Sequence, residues 1–202
     1  MDNLSENMTR TVNNDIIIFE GANCTGKSSI SQLLHLKIRY SLFLKLAPSP
    51  LYFEKNNGEY EKNIYYSAFD FIKNTTQNTI ILDRFFYSEY IYSEMYKSYK
   101  IGYLKDLTRK LSNLNRRIFF ILLTSDFETI VSRVNNRLVD TNKDYIYGQE
   151  SKTIADEYVK SQILFVEKFN EIEGENFYKK IINNNLSINS VTDSIMQFIN
   201  GK

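Results

Sequence analysis

Apolar residues along this chain come in short blocks, and the spacing inside each block predicts its structure. Ile16-Ile17-Ile18-Phe19 runs without polar interruption, as expected of a strand buried on both faces. From Lys27 onward Ile30, Leu33, Leu34 and Ile38 recur at steps of three and four, which predicts a helix with one apolar face. Residues 42–46 read as a second strand, stopped by Pro48 and Pro50, which cannot extend a ladder. A loop over 51–60, a helix over 61–73 and a third buried strand, Thr79-Ile80-Ile81-Leu82-Asp83, follow. Two helices come next, the second marked by Leu104, Leu107, Leu111 and Leu114. Residues 118–123 form the fourth predicted strand, and Asp126 is placed to cap a helix running to about Leu138. After a polar, irregular stretch over 139–150 come a long helix over 151–172, a fifth strand over 177–182 and a closing helix over 191–199. Residues 1–14 are polar and read as a flexible lead-in. Strands alternating with helices, without repeat or linker, predict one α/β domain over 15–202, built on a mainly parallel sheet.

One motif falls where the first strand hands over to the first helix. Gly21-Ala22-Asn23-Cys24-Thr25-Gly26-Lys27-Ser28 satisfies G-x-x-x-x-G-K-[ST] at every fixed position, in the strand–loop–helix context it requires. The glycines permit a tight loop whose backbone N–H groups converge on phosphate oxygens at a positive helix end. Gly21 through Ser29 are therefore the expected ATP-binding segment. Lys27 is placed to reach the β/γ-phosphates, its ammonium expected to be solvent-accessible, and the Ser28 hydroxyl to ligate Mg²⁺. Cys24 reads as a small loop residue rather than a reactive thiol.

Composition narrows the partners. With 25 Lys+Arg against 24 Asp+Glu in 202 residues, the chain has a net charge of +1, which supports no general nucleic-acid coat. A single cysteine and a single histidine, Cys24 and His35, leave no internal disulfide and no Cys- or His-built metal cluster. No apolar run approaches the ~18 residues of a membrane span, and residues 1–14 lack the apolar middle of a secretory signal. A reducing cytoplasm is the expected setting.

A phosphate loop is compatible with GTPases, ATPases and small-molecule kinases. The guanine-reading N-K-x-D is not met at Asn142-Lys143-Asp144-Tyr145, where the Asp falls one place early. ATPase strands often end in Asp-Glu, whereas the third strand here ends Asp83-Arg84. A carboxylate at a strand tip can hold Mg²⁺ through water, and a guanidinium beside it can bridge phosphates bidentately. That pairing points to a kinase.

Phe19-Glu20-Gly21 and Asp83-Arg84-Phe85-Phe86-Tyr87-Ser88 together resemble the F-E-G start and D-R-[YF]-x-x-S segment of the thymidylate kinase family. The resemblance covers most of the chain from Asp15 onward and implies a three-layer P-loop kinase fold with a five-stranded sheet flanked by helices. It implies transfer from ATP with Mg²⁺, through Lys27, Asp83, Arg84 and two lid arginines, Arg133 and Arg137, with the lid spanning about 133–150. Ser28 and Asp83 would carry the metal, and Asn183 and Asn184 would border adenine. Lys45, Tyr66, Asp70, Arg84 and Ser88 fall where the family holds its acceptor. Departures accompany these matches. Asn23 stands where many members have Asp, Cys24 where some have Arg, and Asp70 where the family has an Arg that donates to a base carbonyl. Deoxynucleoside kinases place a Glu before the proline where this chain has Ala47; a nucleoside hydroxyl needs a base, whereas a phosphate acceptor is already ionised. The expected function is a nucleoside monophosphate kinase, most simply for dTMP. A carboxylate at Asp70 facing the base would instead favour an exocyclic amine such as that of cytosine. A deoxynucleoside kinase, a kinase of a modified or DNA-borne nucleotide, and a non-catalytic ATP-binding protein remain open, as do a homodimer and a virus-encoded origin.

Overall fold

The computed structural model describes residues 14–46, 58–97, 99–140 and 151–202. Twelve elements follow in chain order: β1 (Ile16–Glu20), α1 (Lys27–Lys37), β2 (Ser41–Lys45), α2 (Glu59–Asn74), β3 (Thr79–Asp83), α3 (Phe86–Tyr96), α4 (Leu104–Ser112), β4 (Ile118–Thr124), α5 (Phe127–Asp140), α6 (Ser151–Asn170), β5 (Phe177–Asn183) and α7 (Ile188–Asn200). The five strands form one sheet in the order β2-β3-β1-β4-β5. Every pairing is parallel, a stricter arrangement than the mainly parallel sheet expected.

The unbroken apolar runs have a direct cause in this order. β1 and β3 are buried along their whole length, and β4 is buried up to Leu123, because helices cover both faces of the sheet. Ile16, Ile18, Ile80, Leu82 and Phe120 face a core built with α2, α3, α4 and α6. Ile17, Phe19, Ile81, Phe119 and Ile121 face α1 and α7 on the other side. Each such side chain contributes about 1.5–3 kcal/mol by leaving water. A third, smaller cluster joins Ile130 and Val134 of α5 to Ile154 and Ala155 of α6.

Two helix starts are set by side-chain caps. α7 begins at Ile188, ahead of the first core residue Val191, because the Ser187 hydroxyl accepts from the Ser190 N–H at 3.2 Å. Asp126 caps α5 as expected, accepting from the Thr129 N–H at 2.7 Å.

All strands point the same way, so Glu20, Lys45, Asp83, Thr124 and Asn183 gather at one edge of the sheet, where parallel α/β folds place their ligands. The opposite edge is closed by Arg116, whose guanidinium donates to the carbonyls of Asn14, Asp15, Ile72, Thr75 and Asn78. Residues 1–13 of the expected lead-in over 1–14, Pro48 and Pro50, residues 51–57 of the loop expected over 51–60, and residues 141–150 of the lid expected over about 133–150 lie outside the described residues.

Candidate functional site

The phosphate loop turns sharply out of β1. Gly21 has φ 137°, and a Cβ there would stand 2.3 Å from the Leu123 carbonyl oxygen. Gly26 has φ 87°, and its missing Cβ would meet Asn184 Nδ2 at 2.2 Å. Glycine is required at both places by conformation and by space together. Cys24 also adopts a left-handed conformation, φ 60°, which costs a residue other than Gly, Asn or Asp about 1–2 kcal/mol.

Lys27 differs from expectation. It is 5% exposed, and its ammonium donates to the Ala22 carbonyl and to Thr25 Oγ1, the latter at 3.3 Å. The loop's own oxygens take up this charge and bury it. Burial, then repulsion from Arg84, holds the Lys27 pKa well below the usual lysine value.

Three strand tips converge on the loop. Ser28 donates to Asp83 Oδ2 at 2.5 Å, and Asp83 Oδ1 is buried with no hydrogen-bond partner among the described residues. Arg84 follows in the left-handed region, φ 76°, unusual for a bulky side chain. That turn swings its guanidinium back across the loop, donating to Gly21 O at 3.1 Å, Ser88 Oγ at 2.8 Å and Asn23 Oδ1 at 2.8 Å. The Tyr92 ring lies 5.2 Å beneath it.

Glu20, quoted in the sequence only as part of F-E-G, is the hub. Its side chain is fully enclosed, with Oε1 accepting from the Phe85 N–H at 2.9 Å and Oε2 from the Ser88 hydroxyl. Burial raises its pKa from 4.5 to about 7, against the Ser88 hydrogen bond and the charge of Arg84. No motif spacing marks it as ionisable near neutrality; only its placement between β1 and the start of α3 does.

On the other flank, Arg133 of α5 donates to Cys24 O at 3.0 Å, Ser125 Oγ at 2.8 Å and Asn184 O at 2.7 Å. Asn184, expected to border adenine, donates to Thr25 O at 2.7 Å, which ties the turn after β5 to the phosphate loop. Ser125, which joins the same network, had no sequence signal. Asn183 and Ser29 are exposed. Arg137 lies four residues beyond Arg133 on α5.

The expected acceptor residues are more dispersed. Lys45 is exposed at the tip of β2, in register with Asp83. Tyr66 is half-buried and donates to Asp106 Oδ2 at 2.7 Å across to α4, while Asp70, one turn on, is exposed. Burial, then the Asp106 hydrogen bond, pushes the Tyr66 phenol up to about 12. Among the described residues no cluster of three or more His, Cys, Asp or Glu could hold a metal. Ser28 with Asp83 suits Mg²⁺ nonetheless, since that ion takes one or two protein oxygens and completes its shell with water and phosphate.

No established sequence family matches the chain. The SPbeta prophage-derived uncharacterized protein YorR of Bacillus subtilis strain 168 is 25% identical over 143 residues, 71% of this chain and 79% of that protein. The structure of YorR from Bacillus subtilis in complex with phosphorylated GDP matches with a TM-score of 0.64 at 19% identity, over 92% of this chain and 95% of YorR. Polyphosphate kinase 2 from Arthrobacter aurescens TC1 matches at 0.65 and 12% identity, over 95% and 69% of the two chains. Thymidylate kinase from Candida albicans matches at 0.53 and 18% identity, over 96% and 93%. No helix among the described residues is long and apolar enough to cross a membrane. The five-stranded parallel sheet, its loop and these likenesses make the fold that of the P-loop kinases.

Proposed function

We propose that this chain is an ATP- and Mg²⁺-dependent phosphotransferase that converts a nucleoside monophosphate to its diphosphate. The observation that carries this reading is Arg84. A bulky residue held at φ 76° is fastened at once to the donor loop, through Gly21 and Asn23, and to α3, through Ser88. A guanidinium between a phosphate-binding loop and the helix behind the expected acceptor can stabilise negative charge on both sides of a moving phosphoryl group. The loop N–H groups at the start of α1 would bind donor phosphates, Lys27 would bring its ammonium from the loop to the same phosphates, and Arg133 is held against the Cys24 carbonyl on the far flank. Ser28 and Asp83 are the residues that would hold Mg²⁺, whose contribution is to neutralise phosphate charge. YorR binding phosphorylated GDP supports a nucleotide ligand. The likeness to thymidylate kinase makes dTMP the simplest acceptor.

Glu20 favours a second reading, a deoxynucleoside kinase. A buried carboxylate with pKa about 7 beside Arg84 and the loop could take a proton from a sugar hydroxyl. One experiment separates the two: turnover of ATP and Mg²⁺ with a panel of deoxynucleosides and their monophosphates. Diphosphate formation without a pH limb near 7 supports the monophosphate kinase. Nucleoside phosphorylation that rises through pH 7 and is lost in Glu20→Gln supports the alternative. ATP binding without transfer to any acceptor sinks both.

A further inference from the structure

One side chain of α6 reaches the phosphate-loop network, and no motif marks it. Ser125 directly follows β4 and is 3% exposed, so its peptide groups need partners. Gln162 of α6 supplies both. Its Oε1 accepts from the Ser125 N–H at 2.8 Å, and its Nε2 donates to the Ser125 carbonyl at 3.0 Å. A side-chain amide thus clasps the turn between β4 and α5 as a neighbouring strand would. The Ser125 hydroxyl, on the residue so held, accepts from Arg133 at 2.8 Å and donates to Asn184 O at 3.4 Å.

From there the contacts run into the loop. Arg133 Nη1, which donates to Ser125 Oγ, also donates to Cys24 O at 3.0 Å. The Cys24 side chain packs against the small cluster where α5 meets α6. Cys24 is the loop residue at φ 60°, and a left-handed backbone outside glycine persists only where its surroundings fix it. One turn further along α6, Phe165 lies edge-on to Tyr92 at 5.7 Å, and the Tyr92 ring lies beneath Arg84. Residues three apart on a helix are neighbours on its surface, so a single turn of α6 backs both arginines that flank the loop. Satisfying the Ser125 peptide is a structural duty; what ties it to a ligand is that the hydroxyl of the same residue is a partner of Arg133.

We propose that Gln162 is a positioning residue of the donor-phosphate site. Gln162 holds Ser125, Ser125 holds Arg133, and Arg133 holds the Cys24 carbonyl in the conformation that turns the loop N–H groups toward phosphate. The inference rests on the donor-site reading above. Gln162 touches no ligand itself, and its effect passes through the loop, so it is felt by any phosphate chain the loop binds and is indifferent to the base attached. Methionine fills nearly the volume of glutamine and makes neither bond, which separates the amide from the bulk of the side chain.

The test measures, by calorimetry with Mg²⁺, the Kd of a non-hydrolysable ATP analogue and of inorganic tripolyphosphate for the unaltered protein, Gln162→Met, Ser125→Ala and the double variant. Gln162→Met is expected to weaken both ligands in the same proportion, about five- to tenfold, the size of two neutral hydrogen bonds. Ser125→Ala removes the hydroxyl that Arg133 leans on and should weaken them similarly. The double variant should fall no more than about twofold below the weaker single one, because both act through one line of contacts. A residue that merely packs α6 would lower Tm and leave both affinities alone. Unchanged affinity in a folded Gln162→Met, additive losses in the double variant, or weakening of the ATP analogue without tripolyphosphate each overturns the inference and leaves the kinase reading standing. So does an unaltered protein that binds the ATP analogue and not tripolyphosphate. Should Gln162→Met not fold, Ser125→Ala decides: a proportional loss for both ligands upholds the inference, and full affinity overturns it. Binding of neither ligand by the unaltered protein overturns both.

Discussion

The expected donor and acceptor sides of the site are tied together differently. Around the phosphate loop Glu20, Arg84, Ser88, Asn23, Arg133, Ser125 and Asn184 bond to one another or to loop carbonyls, while Asp83 Oδ1 and Asn184 Oδ1 are buried without partners among the described residues. Behind it, Glu89 Oε2 and the Tyr103 hydroxyl are buried without partners among the described residues. A triphosphate is chemically constant, and a rigid cradle closed on itself can receive it with little reorganisation. On the proposed reading the acceptor side selects among bases, and selection needs hydrogen-bonding groups that the protein does not satisfy internally.

The sharpest way to break this contrast is at Lys27. Lys27→Ala is expected to abolish phosphoryl transfer, a fall of roughly 10³-fold or more, while the fold survives. Turnover at the unaltered rate, measured by nucleoside diphosphate formation, would remove the loop from the chemistry. Arg84→Ala should lower kcat by about 10²–10³-fold, more than it weakens ATP binding, because the guanidinium serves both halves. A variant with normal kcat and poor ATP affinity would assign Arg84 to the donor half alone.

Glu20 gives a smaller, pH-dependent effect. Its carboxyl is raised from 4.5 to about 7, so the folded state holds a proton that the unfolded state has already released in that interval. Its contribution to stability is therefore full below about pH 4.5 and is lost as pH rises through 7, in total about 3 kcal/mol at 1.36 kcal/mol per pH unit. Glu20→Gln should flatten the decline in chemical-denaturation stability between pH 4.5 and 7 relative to the unaltered protein. Parallel curves for the two proteins would show that Glu20 is already ionised in the fold. Smallest of all, Tyr66→Phe removes the bond to Asp106 and should raise the acceptor KM only a few-fold with kcat held, since the stacking ring remains. A collapse of kcat would mean that the tie between α2 and α4 positions more than the base.

The same contrast explains what the sequence could reveal. The phosphate loop was legible because its chemistry is packed into consecutive residues, and the buried strands because helices on both faces demand unbroken apolar runs. The Asp83-Arg84 ending was legible as a pair, but the backward turn that aims Arg84 at Gly21 and Asn23 was not. Glu20 and Ser88, 68 residues apart, announce nothing locally, and neither do Tyr66 and Asp106, 40 apart. Asp70 drew attention because it departs from a family pattern, while Gln162 matched none. Its two bonds to the Ser125 backbone single it out, and they are a property of the assembled sheet and helices.

Arg116 has a consequence in time rather than in energy. Its five carbonyl partners come from the start of β1 and from the stretch between the end of α2 and β3, up to 102 residues away along the chain. Such a junction closes only after those segments have met, so it belongs to the late side of the folding barrier. Arg116→Ala should then leave the refolding rate nearly unchanged and accelerate unfolding, shortening the lifetime of the folded molecule through a residue at the far end of the sheet from the phosphate loop.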